Sequence, residues 1–261
     1  MKSLNDYILT LLARGKFFFL KQEAISALGL DQNKFRYQAY RLSKKKAIKR
    51  LLGDFYMIIS PEYYHLGSLP PNWIVGPLMQ YLEREYYIGL LSAAAFYGAT
   101  EQQPMVLQVI TDKMMKSITL ERSSIEFHVS KHCSLAAKTS MKVATGYVNV
   151  STKEQTIVDL VKFYKVAGYL SNAAVVIKVL AEECDFVLFD QIIKIESNES
   201  ALQRLGYILE IMALHGLAQI IENRLLERKI EYVSLRPDYH IKEGPRSSRW
   251  KIIINDSLEV A

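Results

Sequence analysis

The sequence predicts an α+β fold with a small basic N-terminal domain and a larger mixed α/β domain, and three observations lead to this prediction. At 261 residues, the chain is longer than most single domains. Residues 1–65 hold twelve Lys and Arg against five Asp and Glu, whereas the remaining residues hold twenty-one against twenty-two. Helical periodicity dominates the start of the chain, and segments rich in Val, Ile and Thr appear later, between helical ones.

The first 65 residues show the element order of a winged helix-turn-helix. A first helix, with apolar residues at helical spacing from Leu4, ends near Gly15. Asp31 is a candidate N-cap for the third helix, and the pair Gly53-Asp54 predicts a tight turn between two strands. The other predicted elements are helices over 21–28 and 32–45 and strands over 48–52 and 55–59.

A connector rich in Gly and Pro, residues 66–77, predicts a linker between the two domains. The second domain would then span 78–261, and Ser151-x-x-Glu154 is a candidate capping box at the start of one of its helices. In this domain the sequence predicts helices over 78–87, 89–98, about 151–161, 170–183, 185–195, 199–214 and 217–228, and strands over 105–110, 117–121, 125–130, 143–150, 232–235 and 250–254.

The concentration of positive charge in residues 1–65 predicts a polyanionic partner for that end of the chain. In a helix-turn-helix, the second helix of the motif enters the major groove of DNA. With Phe35, Ala39 and Leu42 facing inward, the outward side of the third helix and the following residues would meet double-stranded DNA. The candidate DNA-binding residues are Asn33, Lys34, Arg36, Tyr37, Tyr40, Arg41, Lys44, Lys45, Lys46, Lys49 and Arg50.

Two other interpretations of this basic segment stay open. The run Lys44-Lys45-Lys46 is also what a solvated helix end carries, since the helix dipole favours cations there. A winged helix can also be used for protein contact rather than for DNA.

The sequence contains none of the common motifs of a nucleotide-binding or hydrolytic enzyme. It has no Gly-rich phosphate loop and no G-x-S-x-G nucleophile elbow, so we expect no enzymatic activity and no cofactor. The acidic residues Glu182, Glu183 and Asp185 beside Cys184 favour a charged junction between two helices over a metal-dependent nuclease site.

No metal and no membrane association are expected either. His128, His132 and Cys133 lie close together, but without a second cluster they are weak evidence for zinc. The longest apolar stretch, 86–100, is shorter than a membrane-spanning helix, and we see no secretory signal. The two widely separated cysteines favour a reducing, cytoplasmic location over a secreted disulfide framework.

Four segments of the second domain resemble the AbiEi abortive-infection antitoxin family. Ser151–Leu160 resembles the family's S-x-E-x-T-hydrophobic-x-D motif, and Arg204-Leu205-Gly206-Tyr207-Ile208-Leu209-Glu210 resembles its Arg-Leu-Gly-Tyr-Leu-Leu-Glu helix. Trp250–Asn255 is similar to its closing tryptophan strand, and Tyr87–Gly98 to an earlier helix. The chain departs from the common pattern at Lys153, Gln155 and Ile208, and in a long polar stretch over 236–249.

The resemblance implies an antitoxin of a phage-defence, abortive-infection pair. Such a protein neutralises a nucleotidyltransferase-like toxin through its C-terminal domain, directly or indirectly, and represses its own operon by binding inverted repeats in the promoter. The motif residues also have structural interpretations: Gly206 would permit close helix packing, Trp250 would anchor the core, and Arg204 and Glu210 would form an ion pair. The motif residues in question are Ser151, Glu154, Asp159, Arg204, Gly206, Glu210, Trp250 and Asn255.

A second function stays open from the sequence alone. A winged-helix transcription factor whose C-terminal domain senses a small molecule would show the same charge distribution. The neighbouring gene separates the two hypotheses, because a nucleotidyltransferase favours the antitoxin and a metabolic enzyme favours the sensor.

Overall fold

The structure, a computed structural model, describes residues 3–100 and 105–258 and has a mixed α/β architecture. The chain forms two compact units. The first contains Met1–Tyr87, Met105–Ser134 and Ser140–Asn149, and the second contains Ile88–Pro104, Leu135–Thr139 and Val150–Ala261. Neither unit is a single stretch of sequence, and residues 66–77 lie within the first.

The beginning of the first unit contains three helices and a small antiparallel sheet. Side-chain oxygens of Ser3 and Asp31 cap the first and third helices, as Asp31 was predicted to do. Phe35, Ala39 and Leu42 face inward as predicted and pack with Leu4 and other apolar side chains. The elements are α1 (Leu4–Ala13), β1 (Phe18–Leu20), α2 (Lys21–Leu28), α3 (Gln32–Lys44), β2 (Ile48–Leu52) and β3 (Phe55–Ile58), with strand order β1-β3-β2.

The next helix, α4, spans Pro71–Tyr81, so the predicted helix over 78–87 is wrong in both bounds. Pro77 lies inside α4 and has no N–H with which to reach the carbonyl of Trp73. The Thr145 hydroxyl donates to that carbonyl instead, at 2.7 Å. The helix therefore continues through the proline without leaving this carbonyl unpaired.

Tyr81 also fixes the turn between β2 and β3. Gly53 has φ +52°, and a β-carbon there would lie 2.8 Å from the Tyr81 hydroxyl oxygen. The backbone N–H of Asp54 donates to the same oxygen at 3.3 Å. The turn therefore needs glycine for two reasons: its backbone is left-handed, and the Tyr81 hydroxyl leaves no room for a β-carbon.

A larger sheet, most of it in the first unit, follows α4. It contains β4 (Tyr86–Ile88), β5 (Val106–Thr111), β6 (Ile118–Thr119), β7 (Ser124–Val129), β8 (Lys138–Val143) and β9 (Gly146–Ser151), in the order β6-β7-β5-β4-β9-β8. Strands β5 and β7 pair in parallel, and β6 pairs antiparallel with β7. The sequence predicted β5, β6, β7 and β9. It missed β8, a polar strand at the sheet edge, and β4, most of which it assigned to the helix over 78–87.

The second unit is mainly helical, and the helices predicted from residue 151 onward are confirmed. Helix α6 is buried over most of its length, because every residue from Glu154 to Val161 is buried. No helix of the described ranges, 3–100 and 105–258, has the length and hydropathy to cross a membrane. The elements are α5 (Leu90–Phe96), α6 (Lys153–Lys162), α7 (Tyr169–Ala181), α8 (Phe186–Ile195), α9 (Glu199–Ile211), α10 (His215–Leu226) and the short strands β10 (Val233–Ser234), β11 (Arg246–Ser247) and β12 (Ile252–Ile253).

Candidate nucleic-acid interface and antitoxin domain

Helix α3 presents its polar side to solvent, because its apolar residues face the core. Tyr37 and Tyr40 are 64% and 61% exposed. The Arg41 guanidinium lies 5.7 Å from the Tyr37 ring centre, and the Lys44 ammonium 5.5 Å from that of Tyr40. Two cation–aromatic pairs thus stand side by side on this helix.

The first turn of α3 is held by local contacts. Asp31 accepts from the backbone N–H of Lys34 at 2.8 Å, and its carboxylate also faces the Lys34 ammonium at 3.4 Å. The hydrogen bond lowers the pKa of Asp31, so the cap is charged at neutral pH. Asn33 accepts weakly from Arg36, at 3.4 Å. Asn33 and Arg36 thus stand side by side on the exposed face.

A groove of about 420 Å³ runs beside this helix. Its walls carry the α3 residues Asn33, Arg36 and Tyr40, and Arg50 from β2. The Arg50 guanidinium donates to the Gly53 carbonyl at 2.5 Å, which fixes this cation at the base of the hairpin turn. The helix and the hairpin therefore present cations to one concave surface.

The lysines that follow α3 differ in their surroundings. Lys44 and Lys45 end the helix and are exposed. Lys46 has φ +55° and lies 3.9 Å from the carboxylate of Glu121. Lys49 is half-buried and donates to the Thr119 carbonyl at 3.2 Å. The structure thus leaves Lys44 and Lys45 more open to an external partner than Lys46 and Lys49.

The start of α6 corrects the predicted capping box. The N-cap is Thr152, whose hydroxyl accepts from the backbone N–H of Gln155, and not Ser151. Ser151 is fully buried instead, with its hydroxyl 2.7 Å from that of Thr156 and 3.4 Å from the Ile88 carbonyl oxygen. The motif serine, at the end of β9, therefore contacts both α6 and β4.

The two acidic residues of the same motif are buried and bonded within the chain. Glu154 accepts from the backbone N–H of Asp185 at 2.8 Å and so holds the start of α8. Asp159 accepts from the Gln155 amide at 3.1 Å. Asp185 itself is the N-cap of α8, so the acidic segment beside Cys184 is a helix junction, as the sequence indicated. Within 3–100 and 105–258, no three His, Cys, Asp or Glu side chains are grouped so as to hold a metal ion.

Trp250, from the closing motif, packs against the helix of the Arg204–Glu210 motif. It is fully buried, and a β-carbon on Gly206 would overlap its ring. Its indole N–H donates to Glu210 at 2.7 Å, and Glu210 also accepts from Arg249 at 2.5 Å. The predicted ion pair between Arg204 and Glu210 is therefore wrong: the cation beside Glu210 is Arg249.

Arg204 bonds to backbone instead of to a carboxylate. Its guanidinium donates to the carbonyls of Ser234 and Leu235, at 3.1 and 3.0 Å, and to that of Ser200 at 3.2 Å. Gln203, which the sequence analysis missed, is buried and donates to the carbonyl of Trp250 at 3.0 Å. No motif signals Gln203; only its place one residue before Arg204 could have drawn attention to it.

Asn255 fastens the polar stretch over 236–249 to the body of the second unit. Its amide donates to the carbonyls of Arg236 and Ile241, at 2.9 and 2.6 Å, and its oxygen accepts from the Arg236 N–H at 3.0 Å. The Arg236 guanidinium lies 4.7 Å from the Tyr169 ring centre and 3.1 Å from Asp256. The long polar stretch is therefore bonded to Asn255 at its first residue, Arg236, and again at Ile241.

Comparison with known families identifies the family that the middle of the chain resembles. Residues 87–211 match the AbiEi antitoxin C-terminal domain. This part of the chain is of the AbiEi antitoxin type. The family resemblance expected from the sequence is thus confirmed, and an antitoxin domain implies a toxin as its partner.

The AbiEi match covers six of the eight motif residues and leaves Trp250 and Asn255 outside it. These two nevertheless bond to or pack on elements of the same compact unit. The closing segment therefore packs on a helix of the matched region, through Trp250.

A solved structure shares the fold over nearly the whole chain. The crystal structure of the RV2827C protein from Mycobacterium tuberculosis superposes with a TM-score of 0.65, covering 94% of this chain and 89% of that one at 12% identity. At this identity, the similarity shows a common fold only. No curated protein sequence matches the chain.

Proposed function

We propose that this chain is the antitoxin of a toxin–antitoxin pair and also represses its own operon. The observation that carries the proposal is the AbiEi antitoxin domain over residues 87–211. In this proposal, residues 1–65 are a winged helix-turn-helix that binds promoter DNA, and 78–261 neutralise a nucleotidyltransferase-like toxin. The basic N-terminal segment and the exposed cations of α3 support the DNA-binding part.

Each side chain on α3 has a role that follows from its chemistry. Arg36 and Arg41 can each bridge the two acceptors of guanine in the major groove, and Asn33 can pair with adenine. Tyr37 and Tyr40 can reach the sugar–phosphate backbone. Lys44 and Lys45 add phosphate contacts whose contribution falls as salt rises.

The AbiEi motif residues have a different role in this proposal. Ser151, Glu154, Arg204 and Glu210 already have partners within the chain, and Asp159 is buried. They would therefore stabilise the fold of the domain. Other residues, on the surface of that fold, would bind the toxin.

Two functions call for two measurements on the full chain. Growth of a host expressing the neighbouring gene is followed with the wild-type chain and with Arg36→Ala/Arg41→Ala, both supplied from an unrelated promoter. A reporter fused to the chain's own promoter measures repression in parallel. We expect both chains to rescue growth and only the wild type to repress.

Each result decides a separate part of the proposal. If the wild-type chain fails to rescue growth, the antitoxin role is wrong and the sensor-type regulator becomes the better account. If the double variant represses as well as the wild type, α3 is not the DNA-reading helix. A promoter affinity that does not fall with salt would contradict phosphate binding.

A further inference from the structure

A second groove borders strand β2 of the β2–β3 hairpin. Its volume is also about 420 Å³. One wall is β2, and the other is the segment that joins β5 to β6 and the start of β6 itself. The groove is lined by Lys49–Leu52 and Met115–Thr119.

Arg50 belongs to the lining of both grooves. Strand β2 therefore borders two concave surfaces that carry cations. The first surface includes the α3 residues Arg36 and Tyr40, and the second includes Lys116. All the lining residues of both grooves belong to the first unit.

The charges along the second groove are mainly positive. Lys49, Arg50 and Lys116 line it, and Lys116 and Lys113 are exposed. The acidic side chains that flank this segment in the sequence have partners: Glu121 faces Lys46 at 3.9 Å, and Asp112 faces Arg84 at 4.0 Å. Lys49 donates to the Thr119 carbonyl, which fixes the hairpin against the far wall.

The lining also contains the apolar side chains of Leu52, Met115 and Ile118. A DNA backbone offers the matching chemistry, because its phosphates pair with cations and its deoxyribose rings contact apolar side chains. An acidic protein would need the same cations, but continuity with the α3 groove through Arg50 favours DNA. Positive charge from outside residues 1–65 would then add to the DNA-binding surface.

We propose that the second groove binds the phosphate backbone of promoter DNA beside the site read by α3, with Lys116 as a phosphate contact. This inference rests on the proposed DNA-binding function and extends it to the segment before β6. Lys116 lies far from α3 in sequence, so the distribution of charge along the chain gives no sign of it.

The test uses the full chain and a duplex containing the promoter upstream of its own gene. Affinity is measured at several salt concentrations for the wild type, Lys116→Ala and Lys116→Glu. The matched controls are Lys229→Ala and Lys229→Glu, at an exposed lysine of the second unit. Thermal unfolding of each variant confirms an intact fold, and a hydroxyl-radical footprint maps the contacts.

We expect Lys116→Ala to reduce the slope of log affinity against log salt by about one, the value of one phosphate contact. Lys116→Glu should weaken binding roughly tenfold and remove protection at one edge of the footprint, with the centre still protected. Slopes and footprints equal to those of the Lys229 variants would overturn this inference alone. A wild-type chain that fails to bind the duplex would overturn the DNA-binding function itself.

Discussion

Gly206 and Trp250 are in such close contact that a β-carbon at position 206 would overlap ring carbons of the indole. Gly206 lies in the middle of α9, where a glycine costs about 1 kcal/mol of stability relative to alanine. The glycine is needed because only a residue without a β-carbon lets the Trp250 ring pack directly on the backbone of α9. Trp250 lies beyond the matched AbiEi range, yet its position depends on a residue inside it.

We expect Gly206→Ala to lower the free energy of unfolding by about 2–3 kcal/mol, because the buried ring has no room to move. Denaturant unfolding measures this change. Gly216→Ala in α10 is the control, since its β-carbon would meet Phe186, which is 51% exposed and free to rotate away. Equal stabilities of the wild type and Gly206→Ala would contradict the packing argument.

Arg204→Ala removes the guanidinium donor from the carbonyls of Ser234, Leu235 and Ser200. We expect a loss of about 2 kcal/mol, because partly buried carbonyls lose their donor. Growth rescue should then fall with the folded fraction of the protein and recover at lower temperature. Arg122→Ala, at an exposed position, is the control.

The alternative outcome for Arg204 is equally clear. A variant that unfolds at the wild-type denaturant concentration but fails to rescue growth would place Arg204 in toxin contact. The structural interpretation of this motif arginine would then be wrong.

Glu196 and Lys162 form an ion pair of 2.9 Å at which the carboxylate is only 7% exposed. Burial alone would raise the pKa of Glu196, but hydrogen bonds from Lys162 and from the backbone of Asn198 and Ser197 outweigh it and lower the pKa below its ordinary 4.5. Since the folded pKa is below the unfolded one, the pair stabilises the protein above about pH 4.5 and is lost as pH falls through the folded pKa.

We expect Glu196→Gln to cost about 2 kcal/mol at pH 7, because Lys162 loses its counter-charge. The difference from wild type should shrink as the pH is lowered past 4.5, the ordinary value of this carboxyl. Urea unfolding between pH 3 and pH 7 measures both effects. Asp190→Asn, at the exposed pair with Lys194, should change stability little at any pH. A constant difference across this range would contradict the assigned pKa direction.

The sequence located most helices because their apolar residues recur at a clear period, and it failed where that period is absent. Tyr86–Ile88 is buried at every residue, so its strand carries no alternation to separate it from a helix. Pro77 ends the predicted linker, but α4 continues through it because the Thr145 hydroxyl, far along the chain, donates to the Trp73 carbonyl. The edge strand β8 is polar, and its pairing comes from its place beside β9.

At the candidate sites, the sequence identified the types of residue but not their partners. It paired Arg204 with Glu210, six residues further along the same helix, whereas Arg249 reaches Glu210 from the closing segment. Side-chain bonds to backbone carbonyls, such as those of Gln203, leave no pattern in a sequence. Lys49 is similar: its basic character is evident, but only the fold shows that the Thr119 carbonyl engages it.

Removing the negative charge of Glu121 should change the affinity of the proposed DNA surface. Its carboxylate lies 3.9 Å from the Lys46 ammonium, and both side chains are about half exposed. A carboxylate beside a phosphate-binding lysine both repels DNA and competes for the cation. We therefore expect Glu121→Gln to strengthen promoter binding by roughly threefold and to make its salt dependence steeper.

The measurement is a salt titration of affinity for the promoter duplex, with Glu182→Gln as the control at an exposed position of the second unit. The ion pair is too exposed to matter much for stability, so unfolding should be nearly unchanged. A threefold gain in Glu121→Gln alone would place Lys46 at the DNA backbone. An equal gain in both variants would mean that affinity follows net charge and not this lysine, and an unchanged affinity would remove Lys46 from the interface.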